Sequence, residues 1–240
     1  MNAVVKIYSL LSLSESDVRR VLPDARVAPP IERGQLASDV ADGVHVIGLV
    51  DGVFHQSLAV APGEILDAMR AGLKVFGASS MGALRAAELA PHGMIGVGEI
   101  VGHIAQRRYF RDDFLAQAFS PDLTKVVALP FIDFYFNVNR LVDRGQLTAR
   151  RGCALLRVYR ELHYLDRNNA ALRDRLRGRF PVGDPIHAAA DRAIGSMGSQ
   201  KKRDGLAMLR AIRRELARVA RVNRSLSRAR PPRLQRLFRA

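Results

Sequence analysis

Residues 74–90 read KVFGASSMGALRAAELA. A short apolar run, Lys74-Val75-Phe76-Gly77-Ala78, passes directly into Ser79-Ser80-Met81-Gly82. From there Met81, Leu84 and Leu89 recur at helical spacing among alanines. A buried strand that turns sharply into a helix is half of a βαβ unit. The same grammar appears upstream. Val44-His45-Val46-Ile47-Gly48-Leu49-Val50 is apolar nearly throughout and β-branched, as in a parallel strand covered on both faces. Asp51-Gly52 ends it. Pro62 opens the next helix, whose buried face is marked by Ile65, Met69 and Leu73. Val4 to Tyr8 reads as a first strand, and Ser14-Glu-Ser-Asp17 offers the cap and first-turn acids of the helix behind it. A short helix spans Gln35 to Val40. Strands alternating with helices predict a Rossmann-like parallel sheet with flanking helices and right-handed crossovers.

After Pro91 the pattern turns helical, with segments predicted near 98–108, 132–144, 148–163 and 168–178. Residues 179–200, rich in Gly, Pro and Ala, read as a linker. Residues 201–227 return to amphipathic helix, with Leu206, Leu209, Ile212, Leu216, Val219 and Val222 on one stripe and arginines elsewhere. The expected organisation is an α/β core over 1–110, a helical region over 111–198 packed on it, and a basic amphipathic helix and tail over 199–240.

Composition narrows the function classes. The chain has 240 residues, 48% of them apolar, which is enough for a sizeable core. The one cysteine, Cys153, excludes an intrachain disulfide framework. The six histidines show no H-x-H or H-E-x-x-H spacing, so no metal site and no cofactor are expected. No run of 18 apolar residues predicts a membrane span. The N-terminus lacks a basic region followed by a sustained apolar one, which points to a first strand and a cytoplasmic protein. The formal net charge of +15 suggests an acidic partner, nucleic acid among the options. Its distribution argues otherwise. Residues 1–144 hold 14 basic and 16 acidic side chains, residues 145–240 hold 24 and 7, and the last 40 alone hold 14 and 2. The excess is a C-terminal feature, separate from the candidate chemistry. With no tryptophan and no recognised DNA-binding motif, it reads better as a surface for docking a protein. The plainer alternative is an apolar stripe packed on the core with the arginines in water.

In open parallel sheets, ligands bind at the carboxyl ends of the strands. Two such ends carry chemistry here. Gly77-Ala78-Ser79-Ser80-Met81-Gly82 resembles a nucleophile elbow, with Ser80 as the exposed hydroxyl and the Met81 N–H aimed at developing negative charge. Ser79 is the competing serine. The alternatives are a serine capping an ordinary turn, and a non-covalent carboxylate or phosphate site made of the same N–H groups. Asp51 and His55, after the preceding strand, are candidate bases. Arg85 is positioned to hold an anion, or to pair with Glu88. Gly93-Met-Ile-Gly96-Val-Gly98-Glu99 has the wrong spacing for a dinucleotide fingerprint. It suggests a tight wall, with Gly96 and Gly98 allowing close backbone approach and Glu99 as a further base.

Three strings in order, DGVFHQ (51–56), VFGASSMGALRAAEL (75–89) and HGMIGVGEI (92–100), resemble the core of the TfuA family, partners of YcaO enzymes in peptide backbone thioamidation. PPIERGQL (29–36) extends the likeness upstream, and it fades after residue 110. The first strand departs from the family pattern: Ser9-Leu10 stand where Gly-Pro is expected. The resemblance implies an accessory protein that works beside a YcaO enzyme on a ribosomal precursor peptide. It implies recruitment of a sulfur-carrier protein bearing a C-terminal thiocarboxylate, hydrolysis of that group to release sulfide, and stimulation of the YcaO. Such hydrolysis is acyl transfer, which suits Ser80 with Met81, Gly82 and Arg85 around it. Attack by water activated by Glu99 or Asp51 is the alternative, as is a pure adaptor without turnover.

Overall fold

The computed structural model describes residues 3–53, 58–107, 110–116, 118–119 and 126–228. Its first half is the expected alternation: β1 (Val5–Tyr8), α1 (Glu15–Val21), β2 (Arg26–Ala28), α2 (Gln35–Ala41), β3 (Val46–Leu49), α3 (Pro62–Arg70), β4 (Lys74–Gly77), α4 (Met81–Leu89), β5 (Ile95–Gly96) and α5 (Glu99–Ala105). The five strands form one parallel sheet in the order β2-β1-β3-β4-β5. The signals that predicted these elements are physically present. Ser14 and Asp17 close a reciprocal capping box on α1, and Pro62 sits at the start of α3. The two-residue β5 and the half-exposed β2 lie below what periodicity can detect.

Alternation along the strands explains the unbroken apolar runs. Ile47, Leu49 and Val75 point to one face, where α2, α3 and α4 bring Leu36, Ile65 and Met81. Val46, Phe76 and Ile7 point to the other, where α1 brings Val18. The second face is completed from far along the chain.

Downstream come β6 (Ala118–Phe119) and β7 (Val126–Ala128), a small antiparallel pair, then α6 (Phe131–Asp143), α7 (Ala149–Glu161), α8 (Asn169–Arg177), α9 (Pro185–Gly195) and α10 (Gln200–Arg228). Helices α6 to α9 share their own core, with Phe134, Val138, Leu155, Tyr159, Leu172 and Ile186 at its centre. Ile104 of α5, Leu115 and Ile132 of α6 join that core to α4.

Two readings of the sequence change here. Residues 185–195 are not linker but helix. Asp184 caps it through the Ile186 N–H at 2.9 Å and pairs with Arg151 of α7 at 2.9 Å. Its alanines, Ala189, Ala190 and Ala193, are buried because small side chains let α9 lie close against its neighbours. The basic segment is not docking surface throughout, and its first part takes the plainer alternative: Met208, Leu209 and Ile212 of α10 are fully buried on the sheet, against Ile7, Val46 and Phe76. Gly48 of β3 makes room, since a Cβ there would meet Ile7 at 2.6 Å and Met208 at 2.9 Å. Lys74 of β4 pairs with Glu215, whose carboxyl Arg218 and Lys74 hold down at about 2. Beyond Leu216 the stripe emerges, and Val219 and Val222 are exposed among arginines. No helix among the described residues is long and apolar enough to cross a membrane.

Candidate functional site

The turn from β4 into α4 is built on two close approaches. A Cβ on Gly82 would overlap the Leu49 carbonyl oxygen of β3, and one on Gly77 would overlap the carbonyl oxygen of Gly82. With both glycines bare, α4 sits directly on the sheet. The Ser80 and Gly82 N–H groups then reach back to the Val50 carbonyl, each at 3.3 Å. The chain bends so sharply that Ser79 takes φ of +72°, a left-handed conformation that costs a residue with a Cβ about 1–3 kcal/mol. Its hydroxyl is fully buried and has no hydrogen-bond partner among the described residues. Ser80 occupies the N-cap position of α4, yet its side chain makes no capping hydrogen bond. An ordinary capping serine would. Two of the first-turn N–H groups of α4 are already engaged, Gly82 by the Val50 carbonyl and Ala83 by that of Ser80, while Ser80 itself lines the space beyond the turn. The strained residue is Ser79, one position before the serine that the spacing picks out.

Asp51, at the end of β3, is almost completely buried. One carboxylate oxygen accepts from the Leu10, Leu11 and Ser12 N–H groups at 3.2, 3.0 and 2.8 Å and from Ser9 Oγ at 3.2 Å. The other accepts from Ser12 Oγ at 2.5 Å. The loop after β1 is thus wrapped around this carboxylate. Ser9, where the family pattern departs, is one of the donors.

Between these strand ends lies a cleft of about 360 Å³ lined by Leu11, Pro30, Gly52, Val53 and Ser80, with Asp112, Asp113, Ala116 and Tyr164 at its rim. Lys201, at the start of α10, is also in its wall. This lysine is buried. Its ammonium donates to the Leu115 carbonyl at 3.1 Å, and its backbone N–H donates to Asp133 of α6 at 3.0 Å. Desolvation lowers its pKa, against the opposing pull of Asp51 and Asp133. Burial in turn raises the Asp133 carboxyl. At the rim, Asp113 is paired with Arg167 and Arg111, each at 2.8 Å. A broader groove shares Asp112, Asp113 and Tyr164 and runs past Arg160 and His163.

Of the residues selected from sequence, the structure brings Ser79, Ser80, Met81, Gly82 and Asp51 to adjacent strand ends. Met81 packs over Gly52, where a Cβ would meet it at 2.7 Å. Arg85 is elsewhere: its Nε donates to the Val60 carbonyl at 2.9 Å and it pairs with Glu88 at 2.7 Å, so it clasps the segment entering α3. Glu99 is exposed at the start of α5 and acts electrostatically on Arg140. Gly98 leaves room for Asp204, which caps α5 through the Ile100 N–H at 2.8 Å, and Gly96 faces Val101. Glu99, Gly96 and Gly98 do not line the cleft. His55 lies outside the described residues. Sequence reasoning missed Lys201, Asp133 and the Ser9–Ser12 loop. Lys201 stands in a Lys-Lys-Arg run that reads as a solvated helix face, and only Lys202 and Arg203 behave so.

The fold and the cleft define a class: an α/β protein with a strained serine turn, a helix start that its N-cap serine does not cap and a buried lysine at the carboxyl ends of a parallel sheet. The TfuA-like protein family matches residues 51–168, and through this domain the chain belongs to the TfuA family. The match extends past residue 110 into the helical region, through α6 and α7. No curated protein matches the chain.

Proposed function

We propose that this protein is an accessory to YcaO-dependent backbone thioamidation of a ribosomal peptide. It recruits a thiocarboxylated sulfur-carrier protein, hydrolyses the thiocarboxylate to release sulfide, and stimulates the YcaO. Family membership supports the pathway. The observation that carries the hydrolytic step is the turn after β4, where the buried Ser79 hydroxyl has no partner among the described residues and Ser80, which does not cap α4, lines the cleft. Acyl transfer needs such a nucleophile next to N–H donors placed for the oxyanion. In this reading Ser80 attacks or orients water in the cleft, and Ser79 and the Met81 N–H stabilise the charge that develops. Asp51 positions the loop after β1. His55 remains the candidate base on the β3 side, and Arg85 fixes Val60 at the approach to α3.

The test is sulfide release by the purified protein from a thiocarboxylated carrier. Sulfide is expected above the rate without protein. Ser80→Ala should lower the rate at least about tenfold, equivalent to about 1.4 kcal/mol. Full rates in both Ser79→Ala and Ser80→Ala would remove the site. A stable complex without sulfide would instead make the protein an adaptor.

Docking is a second component. Ending the chain after Leu216 keeps the buried part of α10 and removes eight arginines and no acid. The shortened protein should fold, and its complex with the YcaO or the carrier should weaken more at low salt than at high salt. Unchanged affinity would exclude a docking role for this segment.

A further inference from the structure

We propose that the groove past Arg160 and the Ser80 cleft form one track for an extended polypeptide, whose C-terminal residues enter the cleft while the residues before them lie along the groove. The inference rests on the acyl-transfer reading in one respect: the end that reaches Ser80 is the acyl end of the chain.

Continuity is the first argument. The cleft of about 360 Å³ and the groove of about 860 Å³ have Asp112, Asp113 and Tyr164 in common. These residues belong to two short turns, 112–114 and 164–166, that are distant in sequence. Arg167 ties the turns together. It is buried, and its guanidinium donates to the carbonyl and to the carboxylate of Asp113, each at 2.8 Å. The same cation lies over the Phe114 and Phe131 rings, 5.8 and 5.7 Å from their centroids. The junction is therefore built before anything binds, and a ligand that spans it loses little affinity to ordering the protein. The two parts differ in size. The cleft lies near the lower end of ligand pockets and suits a narrow end of small residues. The groove is more than twice as large and reaches the end of α7.

The chemistry of the walls is the second argument. The groove has two arginines, Arg111 and Arg160, against three acids, Asp112, Asp113 and Glu161. A polyphosphate or a nucleic acid calls for a surplus of cations, which this wall lacks. It offers donors and acceptors together. Arg160 and Asp112 are exposed, and neither makes an ion pair or a hydrogen bond among the described residues. The Tyr164 hydroxyl is likewise without a partner among them. A peptide backbone presents a carbonyl and an N–H at each residue, so it can use a guanidinium and a carboxylate along one path, whereas a phosphate accepts only. Tyr164 adds apolar surface where the two cavities meet. Its ring is 36% exposed and Leu165 beside it is 51% exposed. An aromatic ring with a polar tip, left open to solvent, is the kind of surface that interfaces use.

The test is directional crosslinking on the full chain. The probes are a synthetic eight-residue peptide ending in Ala-Gly-Gly and that tripeptide alone, both with free carboxylates. An extended chain advances about 3.3 Å per residue, so the added residues reach about 16 Å beyond the cleft. Wild type should bind the longer peptide at least about tenfold more tightly. Tyr164→Ala, checked for folding by thermal unfolding, should cut that gain at least about threefold. With p-benzoylphenylalanine in place of Arg160, irradiation should capture the N-terminal half of the long peptide and none of the tripeptide. In place of Val53, in the cleft wall, it should capture the last residues of both. In place of Val182, which is 95% exposed and lines neither cavity, it should capture neither. No binding of either peptide, no gain with length, a full gain in folded Tyr164→Ala, capture of the last residues from position 160, or equal capture from position 182 would each overturn the inference. None of these readouts involves turnover. A mapped track without sulfide release would leave this inference standing and remove the hydrolase; sulfide release without the track would do the reverse.

Discussion

Gly82→Ala is expected to destabilise the protein by at least about 3 kcal/mol, the upper range for overpacking a rigid site. The added methyl would fall inside the contact radius of the Leu49 carbonyl oxygen. That oxygen is backbone, in the middle of the sheet, and its own hydrogen bond comes from the Ala78 N–H at 3.0 Å. It cannot swing away as a side-chain end would. Relief requires α4 to lift off β3, which would break the Ser80 and Gly82 bonds to Val50 and open the space under Met81. Total stability of a domain is about 5–15 kcal/mol, so this loss is a large share of it. Gly63→Ala is the matched control. Gly63 lies in the first turn of α3 with nothing within 4 Å of the added carbon, so alanine there should be neutral or stabilising by up to about 1 kcal/mol. Urea denaturation of the two variants reads the contrast directly. Similar midpoints would mean that the helix does not rest on its glycine. The same geometry gives Gly82 a role other than substrate contact: it sets the depth of the serine turn.

What the sequence carries about this protein is mostly local. The capping box at Ser14, Pro62 at the head of α3 and the run through Val75 and Phe76 are each decided by neighbours within a turn or a strand, and the structure has them. The Ser79-Ser80 turn is legible for the same reason. Lys201 is not, because its burial depends on Leu115 and Asp133, 86 and 68 residues away. Likewise nothing in Ser9-Leu-Leu-Ser12 says that four consecutive residues will close on an aspartate some 40 positions later. Helix α9 is a different failure. Asp184-Pro185 is a proper helix start, but the Gly, Pro and Ala around it have the composition of a linker, and only packing shows that the alanines form a face. The basic C-terminal segment also divides on tertiary grounds: the stripe is continuous in sequence, and only the part that reaches the sheet is core.

Asp51 offers the sharpest separation between a catalytic and a positioning group. As a general base it would lose its function in Asp51→Asn, and turnover would fall by about 10²–10⁴. The hydrogen bonds predict a gentler result. An asparagine can place its oxygen where three backbone N–H groups and Ser9 Oγ converge, and its NH₂ against Ser12 Oγ, which is able to accept. The loop after β1 then keeps its anchor, at the cost of charge assistance and of one negative neighbour for Lys201. Asp51→Asn should therefore fold, with a loss of about 1–2 kcal/mol, and keep activity within about tenfold. Asp51→Ala leaves buried donors without an acceptor and should cost about 3–5 kcal/mol. Sulfide release and urea midpoints on the pair decide the matter. A folded, inactive Asp51→Asn would make the carboxylate the base. Asp51→Ala unfolding at much lower urea than an active Asp51→Asn would assign it to the loop. In that case the base is to be sought on the segment that follows, where His55 stands.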